Sequence, residues 1–525
     1  MGIILQAVLL LCKMMFLLMK FFGFEVVVFI GILNVIIEEV FNIKIIHTTF
    51  EDVEFYIIIV YMIYRTINNI IQAVTDDQEF SLFKRCLEPI QSIRGYKSKK
   101  SIKKHGFKAD TRELEVKKEK ISGFFFGKKN GKYITAKENE DGHILVVGGA
   151  GSGKSSCIAI QTLKTWEKRV FAIDIKGELT SRSKRNGKIF SPGNLKGYGY
   201  DPYYILNRTE NKVQAAREIA LSLIPLSADV KEPFWIESAQ NLLTACILHF
   251  SIEMNFIDTM ISIKLKSAEE LVQIVSESSS IEAKMYVSQF IGMDNKTLSG
   301  VFTELSNKIM IFATDYEIQE ALSKEEIITP EDLERGEDIF LQIREEKLEQ
   351  WKYLLNLIVT QFLKYFERRN EDKENEHILF LLDEFARLGK IDGIANGLAT
   401  LRSKKVHIAL FIQSLAQLDL NYGKDTRRII VDNAAYTAVL GAKDIETQEE
   451  FSKRVGTHEE LKISYNANFE AYTRLDKGSG TSKGYEEKRI IKPEEFAYLD
   501  YIVLLTPKGY LKISKVPYYK VELNE

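Results

Sequence analysis

"HILVVGGAGSGKSSCIAI", residues 143–160, joins an apolar run to a glycine-rich loop and then to a segment of helical character that continues to about Trp166. An uninterrupted apolar run suits a strand buried on both faces of a parallel sheet. Gly148, Gly149, Ala150, Gly151, Ser152 and Gly153 lead into Lys154, Ser155 and Ser156, the G-x-x-x-x-G-K-S pattern in the strand, loop and helix setting that it requires. Glycines in such a loop let backbone N–H groups turn inward around phosphate oxygens, and the helix N-terminus adds partial positive charge. Lys154 is then placed for the β- and γ-phosphates and Ser155 for Mg²⁺, so residues 148–156 predict a site for ATP and Mg²⁺. The plain alternative is a glycine-rich turn with an incidental lysine.

A phosphate loop predicts a metal-side carboxylate at a neighbouring strand end. "HILFLLDEFARLGKID", residues 377–392, supplies one: a second buried-type strand runs straight into Asp383 and Glu384. Read alone, two acids after a strand could simply open a helix, where a positive N-terminus favours them. Beside the phosphate loop, Asp383 is assigned to the Mg²⁺ shell and Glu384 to polarising the attacking water.

The 525 residues suffice for two or three domains, and a net charge of −2 excludes the global basic field of a dedicated duplex binder. Cys12, Cys86, Cys157 and Cys246 are scattered without C-x-x-C pairing, which argues against a zinc site or a disulfide framework. Residues 2–37 and 53–64 are strongly apolar, without a signal-peptide cut site, and predict two membrane spans at about 14–37 and 54–74. Glu38, Glu39, Glu51, Asp52 and Glu54 lie between them, and a Lys/Arg-rich run follows at 84–108, so the positive-inside rule puts both termini in the cytoplasm. That basic run is read as a lipid-facing segment rather than a DNA site.

Further strands are predicted at "RVFAID" (169–174), "DIFLQI" (338–343), "VHIALFI" (406–412) and "YTAVL" (436–440), with "YIVLL" and "GYLKIS" (501–514) as a hairpin closing the sheet. Alternation with helices points to an α/β core with a parallel sheet. From 206 to 325 the apolar spacing is helical throughout, which predicts an all-α domain inserted in the nucleotide-binding domain. The organisation is thus a membrane anchor (1–75), a basic linker (76–120), the nucleotide-binding domain in two parts (121–205 and 326–525) and the insertion (206–325). Residues 367–376 read as a solvated loop, and "DKGSGTSKGYEEK" (476–488) as a mobile one. Trp235 reads as a core or interdomain anchor, and Asp174, Lys176 and Glu178 fall near the phosphate end of the sheet without an assigned step.

"GGAGSGKSS", "AIDIKGEL", "EPFWIESAQNLLTA", the long block from Leu381 to Leu418, "IIVDNAAYTAVLGAKD" and "KRIIKPEEF" resemble, in this order, the blocks of conjugative coupling proteins of TraG/TraD type. That family comprises membrane-anchored, RecA-like hexameric ATPases of type IV secretion systems. The resemblance implies a RecA-like P-loop domain behind an N-terminal transmembrane hairpin, anchored in the cytoplasmic membrane with the ATPase part in the cytoplasm. It implies a homo-hexamer that couples single-stranded DNA and its relaxase to the secretion channel components and drives DNA translocation. It also assigns Gln413 as the strand-end sensor of the γ-phosphate and Arg402 as an arginine finger reaching the next subunit. Without it, Gln413 reads as a polar residue ahead of a helix capped by Ser414, and Arg402 as complementing a helix dipole. Two rival functions remain: a chromosome translocase of FtsK type, disfavoured because the chain ends soon after its last strand pair, and an ATP-binding membrane platform that docks protein substrates. Glu384 separates the latter, since a pure binder needs no water-orienting acid.

Overall fold

The computed structural model describes residues 114–521, apart from 118–120, 139–141, 176, 228–229, 373, 392 and 470–475, and excepting the side chains of 463–469 and 476–483. The expected membrane spans at 14–37 and 54–74 and the basic run at 84–108 lie outside these residues. Among the described residues no helix is long and apolar enough to cross a membrane.

Among the described residues fourteen strands are formed: β1 (Glu115–Val116), β2 (Phe124–Lys129), β3 (Lys132–Ala136), β4 (His143–Gly148), β5 (Arg169–Ile175), β6 (Lys188–Phe190), β7 (Ile339–Ile343), β8 (Ile378–Leu382), β9 (Val406–Ile412), β10 (Ala434–Gly441), β11 (Thr457–Phe469), β12 (Asp476–Arg489), β13 (Tyr501–Thr506) and β14 (Gly509–Ser514). Twelve make one sheet in the order β1-β3-β2-β14-β13-β10-β4-β9-β8-β5-β7-β6. From β10 to β6 all neighbours are parallel. The remainder is antiparallel.

Strand pleating explains why the central strands are apolar over most of their length. Leu145, Val147, Phe171, Ile173, Phe380, Leu382, Ile408 and Leu410 face one core. Ile144, Val146, Val170, Ala172, Leu379, Leu381, Ala409 and Phe411 face another on the opposite side. With both faces covered, neither half of the alternation can be polar.

The helices that supply those cores follow the strands. A π-helix, Lys154–Ala159, continues into α1 (Ile160–Thr165), and α2 (Glu178–Ser183) follows β5. Between β6 and β7 come α3 (Lys212–Leu223), α4 (Pro233–Phe250), α5 (Phe256–Lys264), α6 (Ala268–Ser276), α7 (Ile281–Val287), α8 (Asn295–Thr314), α9 (Tyr316–Leu322) and α10 (Pro330–Glu334). Side chains of Asn211, Asn255, Ser267, Ser280, Asp294 and Asp315 accept backbone N–H bonds at the starts of α3 and α5 to α9, each start thereby losing at least one unsatisfied donor. The Trp235 ring of α4 lies across Gly300 of α8, where an added Cβ would sit 2.7 Å from it. The chain is completed by α11 (Leu348–Glu367), α12 (Ile394–Thr400), α13 (Leu415–Asn433) and α14 (Ile445–Val455).

Two expectations are corrected. The hairpin of β13 and β14 does not close the sheet, because β14 pairs with β2 and the β2-β3 hairpin and β1 continue it. Residues 476–488 are not a loop: they lie in β12, paired with β11 from Thr457↔Arg489 to Phe469↔Asp476 in a sheet of its own. The sequence of β11 alternates apolar and polar residues from Leu461 to Phe469, and a ladder of backbone bonds accepts a Gly- and Ser-rich partner because it is made by the main chain.

Candidate nucleotide site

Parallel pairing brings the C-terminal ends of β4, β9 and β8 to one edge, with β9 in the middle: Val147 lies opposite Ile412, and Leu410 opposite Leu382. Open α/β sheets place ligands at this edge. Past β4, Gly151 and Gly153 take φ 74° and 99°, the left-handed region open to glycine, and a Cβ on Gly148 would fall 2.3 Å from Ser152 Oγ. The π-turn that follows is a form that recurs at functional sites.

Lys154 is 6% exposed and donates from Nζ to the Gly148 carbonyl at 2.7 Å. Burial lowers its pKa, and the charges of Glu384 and Asp383 oppose that shift. Ser155 Oγ donates to Asp383 Oδ2 at 3.3 Å. Asp383 is 7% exposed and accepts the Glu384 backbone N–H at 3.1 Å. Burial first, and the neighbouring Glu384 charge second, push its pKa up to about 6 against the pull of Lys154 and its two hydrogen bonds. Glu384 has φ 51° and ψ 34°, a left-handed conformation that costs a residue with a Cβ about 1 kcal/mol. Gln413, just past β9, donates from Nε2 to Glu384 Oε2 at 3.1 Å. Ser414, expected as a helix cap, makes no side-chain capping bond, and Leu415 N donates instead to Thr447 Oγ1.

The structure therefore brings together the loop 148–156, Asp383, Glu384 and Gln413. It does not bring Arg402 to them. Arg402 is exposed in a 3-10 turn (Leu401–Lys404) ahead of β9, at the opposite edge of the sheet. The seven residues of β9 separate the two edges by about 20 Å. Asp174 is fully buried and accepts the N–H groups of Leu179 and Thr180 at 2.8 and 2.9 Å, so it holds the start of α2. Glu178 is exposed in the first turn of α2, and Lys176 lies outside the described residues.

Sequence reasoning missed the segment after β14. Tyr518 N donates to the Ser156 carbonyl at 2.9 Å, and Gln161 Nε2 to the Val516 carbonyl at 3.2 Å, so this segment runs along the phosphate-loop helix. No local signal in "KVPYYKV" indicates such a contact.

Among the described residues no group of three or more His, Cys, Asp or Glu is placed to hold a metal. Mg²⁺ does not demand one, since it keeps several waters and takes one or two protein oxygens beside phosphates. The adjacent Ser155 hydroxyl and Asp383 carboxylate are oxygen donors of that kind, and the residues fit the ion.

The chain is 27% identical over 425 residues to Protein VirD4 of Rhizobium radiobacter, covering 76% of this chain and 61% of the relative. It is 24% identical over 337 residues to the conjugal transfer protein TraG of Agrobacterium fabrum (strain C58 / ATCC 33970), covering 60% and 51%. It thus spans about 61% of the length of the VirD4 relative and about half that of the TraG relative. The fold is shared with the solved bacterial conjugative coupling protein TrwBdeltaN70 in complex with sulphate, at TM-score 0.61 and 18% identity, over 81% of this chain and 94% of that one. The family model described as type IV secretory system conjugative DNA transfer matches residues 95–524, and the chain belongs to that family.

Proposed function

We propose that this chain is a membrane-anchored ATPase that couples a single-stranded DNA and relaxase substrate to a type IV secretion channel and drives DNA translocation as a homo-hexamer. The observation that carries it is the meeting, at one sheet edge, of a phosphate loop, a buried carboxylate beside Ser155 and a second carboxylate held by a strand-end amide. Family membership supports the DNA substrate and the channel, and solved TrwB complexes with the ATP analogue ADPNP and with ADP and Mg²⁺ support the ligands. The sequence organisation proposed above, with its inserted all-α domain at 206–325 and cytoplasmic-membrane anchor at 1–75, completes the reading.

In this reading the N–H groups of residues 148–156 and the Lys154 ammonium bind the phosphates, while Ser155 and Asp383 hold Mg²⁺. Mg²⁺ held by Ser155 and Asp383 would supply charge neutralisation at the phosphates. Glu384 orients water and accepts its proton at Oε1 or Oε2, and Gln413 holds that carboxylate in place. Arg402 sits too far from its own site and serves a neighbour's. A docking platform that only binds ATP is disfavoured by the strained backbone of Glu384, a cost of about 1 kcal/mol that binding alone does not require. The test is the ATPase rate of the full chain with and without single-stranded DNA. Glu384→Gln is expected to bind ATP without turnover and Lys154→Ala to lose both; normal turnover by Glu384→Gln would overturn the assignment.

A further inference from the structure

The pairing of Ser155 with Asp383 gives the site a direction. Asp383, Glu384 and Gln413 all end strands on the β9 and β8 side of the phosphate loop, so that side takes the terminal phosphate. The nucleoside must leave by the other side, over β10, which flanks β4 there. The segment after β14 occupies that side. Lys515 Nζ donates to the carbonyls of Leu440, near the end of β10, and Leu499, at 3.0 and 2.8 Å, and so ties the segment to the strand end. Tyr518 N is bonded to Ser156 on the phosphate-loop helix, and Lys520 N to the Pro517 carbonyl at 3.0 Å, which closes a turn around Tyr518 and Tyr519. The two rings differ in their surroundings. The Tyr518 ring is half-buried with Lys164 Nζ 5.7 Å from its centroid. Tyr519 is 67% exposed, its ring edge-on to Tyr518 at 5.4 Å and 83°. An anchored aromatic ring that is mostly exposed beside a phosphate loop presents a stacking face that the phosphate chemistry does not use.

We propose that Lys515 to Lys520 form the nucleoside end of the site and that Tyr519 stacks on the purine base. This rests on the phosphate-loop reading above. A ring face takes any base and reads no hydrogen-bonding edge, so adenine and guanine nucleotides are accepted alike.

Calorimetric titration of the full chain with ATP, GTP and inorganic tripolyphosphate, each with Mg²⁺, tests it. Tyr519→Ala is expected to weaken ATP and GTP by about tenfold to a hundredfold and leave tripolyphosphate unchanged, with Tyr519→Phe like the parent. Tyr519→Trp is expected to show fluorescence quenching by ATP and none by tripolyphosphate. Parent-like ATP affinity in Tyr519→Ala, or an equal loss for tripolyphosphate, overturns the proposal. Failure of the parent chain to bind tripolyphosphate would instead overturn the phosphate-loop reading, and this one with it.

Discussion

Gln413 Nε2 donates to Glu384 Oε2 across 3.1 Å, joining the ends of two neighbouring parallel strands. One amide thus orients the carboxylate assigned to water. Gln413→Ala is expected to lower turnover by about 10²-fold, within the range that a positioned base contributes, while ATP affinity stays within about twofold. Equilibrium binding beside steady-state rates decides it, and an equal loss in both would count against an orienting role.

The left-handed backbone of Glu384 sets stability against function. Glu384→Gly is expected to raise unfolding free energy by about 1 kcal/mol and to abolish hydrolysis, since glycine takes φ 51° without a Cβ clash. Urea denaturation without nucleotide reads the first effect, and a lower midpoint would refute it.

His143 opens β4 at the far edge, 1% exposed, where Nδ1 accepts the Ile408 N–H at 3.0 Å. Burial first, and then the charge of His407, hold its pKa down at about 3; Arg402 adds to this and the Leu398 carbonyl opposes it. His407 in turn meets His377 at 2.8 Å and the Gly142 carbonyl at 3.1 Å. The unfolded chain binds a proton at His143 below about pH 6.5 and the folded chain does not, so its contribution is present above that pH and is lost as pH falls towards 3. The expected slope is about 1.4 kcal/mol per pH unit between 6 and 5, absent in His143→Asn. Parallel stability profiles for the two proteins would remove this explanation.

Arg402 stands at the edge of the sheet remote from its own phosphate loop, so any action on nucleotide is in trans. Such fingers are worth roughly 10³ to 10⁵ in rate. Mixing Arg402→Ala with Lys154→Ala chains is expected to restore part of the activity in shared sites. Strictly additive loss at every mixing ratio would leave Arg402 as a dipole partner at its helix end.

The residues proposed to bind phosphate and flank the metal were legible because each belongs to a local pattern: an apolar run of strand length, then glycines or acids. The central strands were legible for the same reason, since burial on both faces forbids polar interruption from Ile144 to Val147 and from Ile378 to Leu382. Asn130 and Gly131, both at positive φ, make the two-residue turn between β2 and β3 that an Asn-Gly pair favours.

By itself the sequence determined the buried central strands, the helical character of 206–325 and the presence of a phosphate-loop pattern, because propensity, burial pattern and loop composition act over a few residues. Tertiary structure alone decided that Ser155 meets Asp383 across 228 positions and Gln413 meets Glu384 across 29. It also decided that Asp174 holds a helix start, that Arg402 faces away, that β14 pairs with β2, and that the chain after β14 lies against Ser156. These depend on strand order in the sheet, which non-local backbone pairing selects and no short window of sequence encodes.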